Sequence, residues 1–212
     1  MIIRDGEWSV VVPGHWNKYI LNPAWVGQNL FKEDNIKVEY PVNNPDFPPR
    51  YVSSENIIFI PANHRITFLL QDPFNDSVME KISIMMKNLI EALPHTPIAG
   101  VGINNSFELP TSEFEQLELF QLSDADGFSE INCDIKVTEV KRQFTSDGKT
   151  INLSIINNNE VVIFDFNYHF EISSSEDAVT LFSNENILKE ARDKSINVLK
   201  SIYNLTIEDE EE

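Results

Sequence analysis

Apolar residues recur along the chain at two spacings, and the spacings predict where helices and strands fall. From Asp76 to Leu93, the residues Val78, Ile82, Met85, Met86, Leu89 and Leu93 lie at helical intervals, so they form one stripe of a helix. Asp76 or Ser77 is placed to cap its start and Pro94 to stop it. Asn184 to Tyr203 repeats the pattern through Leu188, Ala191, Val198, Leu199 and Ile202, with Ser195 as its polar step and Ser183 or Asn184 as its cap.

Alternation marks the strands. Phe164, Phe166, Tyr168, Phe170 and Ile172 share one face of a strand, and Asp165, Asn167, His169 and Glu171 share the other. Ile131, Cys133, Ile135 and Val137 begin a second strand in the same way, and Ile151, Leu153 and Ile155 a third. Ser146-Asp147-Gly148-Lys149 and Asn157-Asn158-Asn159-Glu160 separate them as tight turns, because Gly and Asn tolerate positive φ. Residues 131–173 therefore read as a three-stranded antiparallel meander.

Upstream, Asn56–Ile60 and Arg65–Leu70 flank Pro61-Ala62-Asn63-His64 as a hairpin, preceded by a short strand at Ile36–Tyr40. YPVNNPDFPPR, residues 40–50, holds four prolines and reads as an extended loop. Trp8–Val12 is a strand ended by Pro13-Gly14, and Asn22 caps a short helix whose first residue is Pro23. Trp25, Val26, Leu30 and Phe31 give that helix an apolar side. Ile98–Leu109 is a strand in which Asn104-Asn105 permits a bend, and a short helix falls near Ser112–Phe120.

Two halves, 1–95 and 96–207, thus follow one order of strand, short helix, three strands and long helix, ahead of an acidic tail at 208–212. The expectation is an α+β protein: a pseudo-duplicated unit whose strands join in one curved, mainly antiparallel sheet packed by two long helices. This order is similar in topology to TATA-binding-protein-like saddles and to helix-grip folds. No diagnostic motif of either is present, and no family is assigned.

The charge narrows the partners. Against 34 acidic residues stand 16 basic ones, a net charge of -18, which is still -13 without Glu208-Asp209-Glu210-Glu211-Glu212. Such a surface repels phosphate backbones and anionic lipid, so neither direct nucleic-acid binding nor membrane binding is expected. No apolar run approaches the length of about 18 residues that a membrane helix needs, and MIIRDGEWSV is not a secretory signal. Cys133 is the one cysteine, which excludes an internal disulfide. A reducing cytoplasm is the expected compartment.

Catalytic chemistry has little support. The four histidines, His15, His64, His95 and His169, show no metal-ligand spacing, and His95 in Leu93-Pro94-His95-Thr96-Pro97 suits a helix end. Asp165, His169 and Glu171 make a polar row that reads as a solvated strand face, and Cys133 falls on the apolar phase as a core thiol. Gly100-Val101-Gly102 is not a phosphate-binding loop. No cofactor, metal or catalytic residue is expected.

The expected function is therefore a non-enzymatic acidic protein that binds another protein, a basic or nucleic-acid-binding one by charge mimicry. Its candidate contacts are His15, Trp16, Tyr19, Phe47 and Tyr51. The alternative is a binder of small apolar ligands in a cavity between sheet and long helices, walled by Phe164, Phe166, Tyr168 and Phe170. Homo-oligomerisation is compatible with either. Exposure of Trp16 decides whether the connector His15–Tyr19 is a surface or architecture.

Overall fold

The computed structural model describes residues 1–4, 6–41 and 47–207. The middle of the proline-rich loop, 42–46, and the acidic tail, 208–212, lie outside the described residues. The protein is α+β, with a ten-stranded sheet and several helices. In chain order the strands are β1 (Ile2–Ile3), β2 (Ser9–Pro13), β3 (Lys37–Glu39), β4 (Arg50–Val52), β5 (Ile58–Pro61), β6 (Arg65–Leu69), β7 (Val101–Pro110), β8 (Thr138–Ser146), β9 (Lys149–Asn157) and β10 (Val161–Phe170). They are arranged β3-β4-β5-β6-β2-β7-β10-β9-β8, with β1 also on β7, and all the named pairings are antiparallel.

Turn chemistry sets this register. Asp147 (φ 52°) and Gly148 (φ 73°) both adopt positive φ between Ser146 and Lys149, the turn that matches strand twist. Asn158 turns β9 into β10 by accepting the backbone N–H groups of Glu160 (3.0 Å) and Val161 (2.9 Å) through Oδ1. Gly14 follows β2 where a Cβ would stand 2.6 Å from the Pro97 carbonyl oxygen, so only glycine fits.

One sheet face is covered by helices α2 (Asp76–Ala92), α4 (Ser175–Phe182) and α5 (Ile187–Tyr203). Phe59, Phe68, Phe107, Phe164 and Phe166 meet Met79, Ile82, Met86, Leu188 and Leu199 in one apolar cluster. Asn75, not Asp76 or Ser77, caps α2, its Oδ1 accepting from the Val78 N–H at 3.2 Å. Asn22 caps the short helix α1 (Pro23–Val26) as its sequence predicts, accepting from Trp25 N–H at 3.0 Å.

Several expectations need correction. The strand expected from Ile131 begins at Thr138, because its partner β9 ends at Asn157 and nothing pairs with earlier residues. Ile131 and Val137 are consequently exposed, and Cys133 is an exposed thiol rather than a core one. The final helix starts at Ile187, preceded by the separate helix α4, whose cap Ser174 accepts from the Asp177 N–H at 3.1 Å. β10 stops at Phe170, short of Ile172. Ser112–Phe120 forms two 3-10 turns ahead of the short helix α3 (Ala125–Glu130), and the proline-rich loop ends in a strand, β4.

Within the core, the polar step of α5 finds its partners. Ser195 Oγ donates to the Ala191 carbonyl (3.0 Å), accepts from Asn105 Nδ2 (3.1 Å) and lies 2.9 Å from the Tyr168 hydroxyl. Ser195 is fully buried, and Asn105 and Tyr168 are each 2% exposed. Replacing Ser195 with Ala leaves two buried polar groups without their shared partner. Urea unfolding of Ser195→Ala is expected to show a loss of about 1–3 kcal/mol with an unchanged m-value.

Candidate functional site

The connector that opens with His15 resolves into a buried and an exposed part. Trp16 is 3% exposed and its Nε1 donates to the Val12 carbonyl at 2.9 Å, so it plugs the end of β2. His15 is exposed, and Tyr19, 80% exposed, has the Lys18 Nζ over its ring at 5.6 Å. Tyr51 is buried on β4 with its ring 6.4 Å from Phe59; burial, with a smaller effect of Tyr40, pushes its phenol up. Phe47 is exposed. Trp16 and Tyr51 are thus core residues, while His15, Tyr19 and Phe47 remain on the surface.

The aromatic row of β10 divides in the same way. Phe164 and Phe166 are closed in by Tyr203 (5.1 Å), Phe114 (5.7 Å) and Phe107 (6.1 Å). Tyr168 and Phe170, farther along the strand, line a cavity of about 460 Å³ between β9, β10 and α5. Ile151, Ile187 and Ala191 complete its apolar floor. At its rim Glu190 accepts from Asn184 and its Oε2 meets Lys149 Nζ at 3.0 Å; the Asn184 hydrogen bond first, and then Lys149, hold its carboxyl below the usual range. The Tyr168 hydroxyl is raised to about 12 by burial, partly offset by Ser195.

The opposite sheet face is open. Ser9, Asn104, Asn167, Asn152 and Gln143 stand in register on β2, β7, β10, β9 and β8. Their side chains form one hydrogen-bonded row, with contacts of 3.1, 2.8, 3.2 and 2.8 Å. Beside it Asp165 accepts from Ser106 Oγ and lies 3.6 Å from Arg4, while His169 is exposed. Among the described residues no three His, Cys, Asp or Glu side chains are grouped as a metal ion would need. No helix of the described residues is long and apolar enough to cross a membrane.

A surface that the sequence reading passed over is the crossover from β7 to β8, residues 111–137. Seven acids, Glu113, Glu115, Glu118, Asp124, Asp126, Glu130 and Asp134, stand there against Lys136 alone. The same segment exposes Leu117, Leu122, Phe128, Ile131 and Val137, five of the twelve large apolar residues exposed among those described. Ile202, 60% exposed on α5, adjoins it, its carbonyl accepting from Gln116 Nε2 at 3.3 Å. The signal in the sequence was the interleaving of acids with Leu, Phe and Ile, which is easily mistaken for a strand start. No protein-family profile, no curated protein and no solved structure matches the chain.

The α5 wall of the cavity is held from behind. Asp76 at the start of α2 pairs with Arg192 Nη1 at 2.8 Å and with Lys189. Hydrogen bonds from Lys189 and then Arg192 lower the Asp76 carboxyl, and Asp76 raises the Lys189 amine. The lowered Asp contributes stability above its unfolded pKa that is lost as pH falls through its folded one; the raised Lys contributes below its unfolded pKa and loses it as pH rises. Stability from this cluster is therefore greatest between about pH 4 and pH 10. Asp76→Asn is expected to flatten the acid limb of a thermal-melt pH series, measured from pH 2 to pH 7.

Proposed function

We propose that the chain is a non-enzymatic protein-binding protein whose partner is basic and apolar, and that the crossover 111–137 is its contact surface. The observation that carries the reading is the coincidence, in one segment, of seven acids with five exposed apolar side chains. Acids alone are accounted for by solubility, and an isolated exposed Leu needs no explanation. Interleaved, they suit a Lys- and Arg-rich amphipathic surface: charge steers the encounter and apolar burial holds the complex. The acidic tail 208–212 follows α5 in sequence and adds five like charges, the composition that mimicry of a phosphate array calls for.

The proposed architecture is a duplicated unit. Read outward from the sheet centre, the halves run β2-β6-β5-β4-β3 and β7-β10-β9-β8, with β2 beside the last strand of the first half, β7 beside the last of the second, and helices following each last strand. This supports the reading of a saddle made of two related units, with the crossover as an addition to the second.

The test uses the full chain and two synthetic peptides of equal charge, an amphipathic Lys/Leu helix and an oligolysine. Binding of the Lys/Leu peptide is expected to weaken steeply between about 50 and about 200 mM salt. Replacing Glu115, Glu118 and Glu130 with Gln and Asp124 and Asp126 with Asn should reduce binding of both peptides. Leu122→Ser with Phe128→Ser and Ile131→Ser should reduce the Lys/Leu peptide to the level of oligolysine. Unchanged affinity in both variants would sink the proposal.

A second reading, a small apolar ligand, is favoured by the cavity that Tyr168 and Phe170 line. It requires that native mass spectrometry of the gently purified protein show a bound apolar compound. Asn197→Trp at the cavity's edge should remove that compound; a ligand-free wild type ends this reading.

A further inference from the structure

The chain has five arginines, and the structure spends them unevenly. Arg4 pairs with Glu108 and Asp165, and Arg192 with Asp76 and Asp193. Arg50, Arg65 and Arg142 form no ion pair among the described residues, and the first two line a single cavity of about 470 Å³ on the open sheet face. Glu39, the one acid among the described residues that line the cavity, is held by Lys37 at 2.6 Å; this bond is the main cause of its lowered carboxyl, and Arg50 contributes least. In a protein of net charge -18, two cations left in one recess stand out against the surplus of carboxylates available to pair with them.

Strand register explains how they come together. Arg50 pairs with Glu39 across β3 and β4, and Ile60 with Thr67 across β5 and β6. Arg65 precedes Thr67 by two residues and so shares its face. Only β5 separates the strands that carry the two arginines, a span of about 10 Å, with Ile60 and Leu69 as an apolar floor. Tyr40 and Phe47, 70% and 62% exposed, stand at the same cavity with rings that nothing else covers by more than half. Two guanidinium groups, two aromatic rings and an apolar floor recognise a flat apolar body bearing an anionic group.

We propose that this recess binds a small anionic ligand with a flat apolar body, an aromatic carboxylate or its sulfonate equivalent, held by Arg50 and Arg65 against Tyr40 and Phe47. Size discriminates between anions here. A polyanion such as nucleic acid spans many Debye lengths and meets the acidity of the whole chain, whereas a small monoanion lies within about 8 Å of the arginines and feels chiefly them. The open face around the site is also balanced: Lys37, Arg50, Arg65 and Lys141 at its strand positions match Glu39, Glu108, Asp165 and Glu139. The site is independent of the acidic crossover and of the cavity beside α5.

The probe is 8-anilinonaphthalene-1-sulfonate, titrated into the full chain by fluorescence, with its uncharged analogue N-phenyl-1-naphthylamine as comparison. One saturable site is expected, with the uncharged analogue weaker by about tenfold or more. Arg50→Gln combined with Arg65→Gln, two exposed positions, should weaken the sulfonate by a similar factor while leaving the circular dichroism spectrum intact. Lys149→Gln, at the other cavity, should leave binding unchanged, and amide shifts should centre on Ile60, Thr67 and Leu69. Equal binding of the uncharged analogue, wild-type affinity in the double variant, several unsaturable sites, or shifts centred on Tyr168 and Ala191 would each overturn the assignment.

Discussion

The whole sheet depends on β7 being shared. Its ten residues pair with β10 along one edge and with β2 and β1 along the other. Strands of the first half reach the second through Ser9–Asn104, Val10–Ile103 and Val11–Gly102, and through β1, which sets Ile2 opposite Glu108 and Ile3 opposite Phe107. Five residue pairs on two short strands would make a weak junction if they were not reinforced on both sides. Trp8 supplies one reinforcement: its ring meets Phe107 edge-on at 5.0 Å, and its Nε1 donates to the Ser106 carbonyl at 2.7 Å. The helices supply the other, since α2 of the first half packs on α4 and α5 of the second and ties to α5 through Asp76. Asn105 then fixes α5 to β7 itself through Ser195.

What the sequence revealed followed from how much each element buries. The stripe of α2 and the alternation of β10 were legible because Ile82, Met86, Leu89, Phe164 and Phe166 face a core that demands their periodicity. Helix α4 was not, because eight residues with only Ala178 and Phe182 fully buried show too little of a 3.6-residue period. Ile131 to Val137 alternated without a partner strand, and alternation predicts a strand only where a neighbour exists to pair with it. The binding surfaces were less legible still. Arg50 and Arg65 come to one cavity only through two successive antiparallel registers, and Tyr168, unlike Phe166 on the same strand face, borders the cavity beside α5.

The charge is distributed unevenly, and this bears on what each surface suits. Strand positions of the open face are balanced, and its centre is a neutral row of Ser, Asn and Gln side chains that bond to one another. The net -18 therefore lies in loops, helices and the tail. Long-range repulsion of polyanions and short-range attraction of a small anion coexist on one molecule because screening limits each to its own scale.

Topology does not require the crossover to be as long as it is. Leu109 near the end of β7, Val162, Asn157 and Thr138 at the start of β8 lie in one row of the sheet, so the chain must cross three strand spacings, about 15 Å. About five extended residues span that distance, yet residues 111–137 are used. Nor does the core require the surplus, since Phe114 is the one large apolar residue of the segment that is fully buried among those described. A long segment that orders its backbone while leaving Leu122, Phe128 and Ile131 in water bears a conformational cost with little burial in return. A partner that covers those side chains supplies the missing burial, and the acids between them select a partner that is basic.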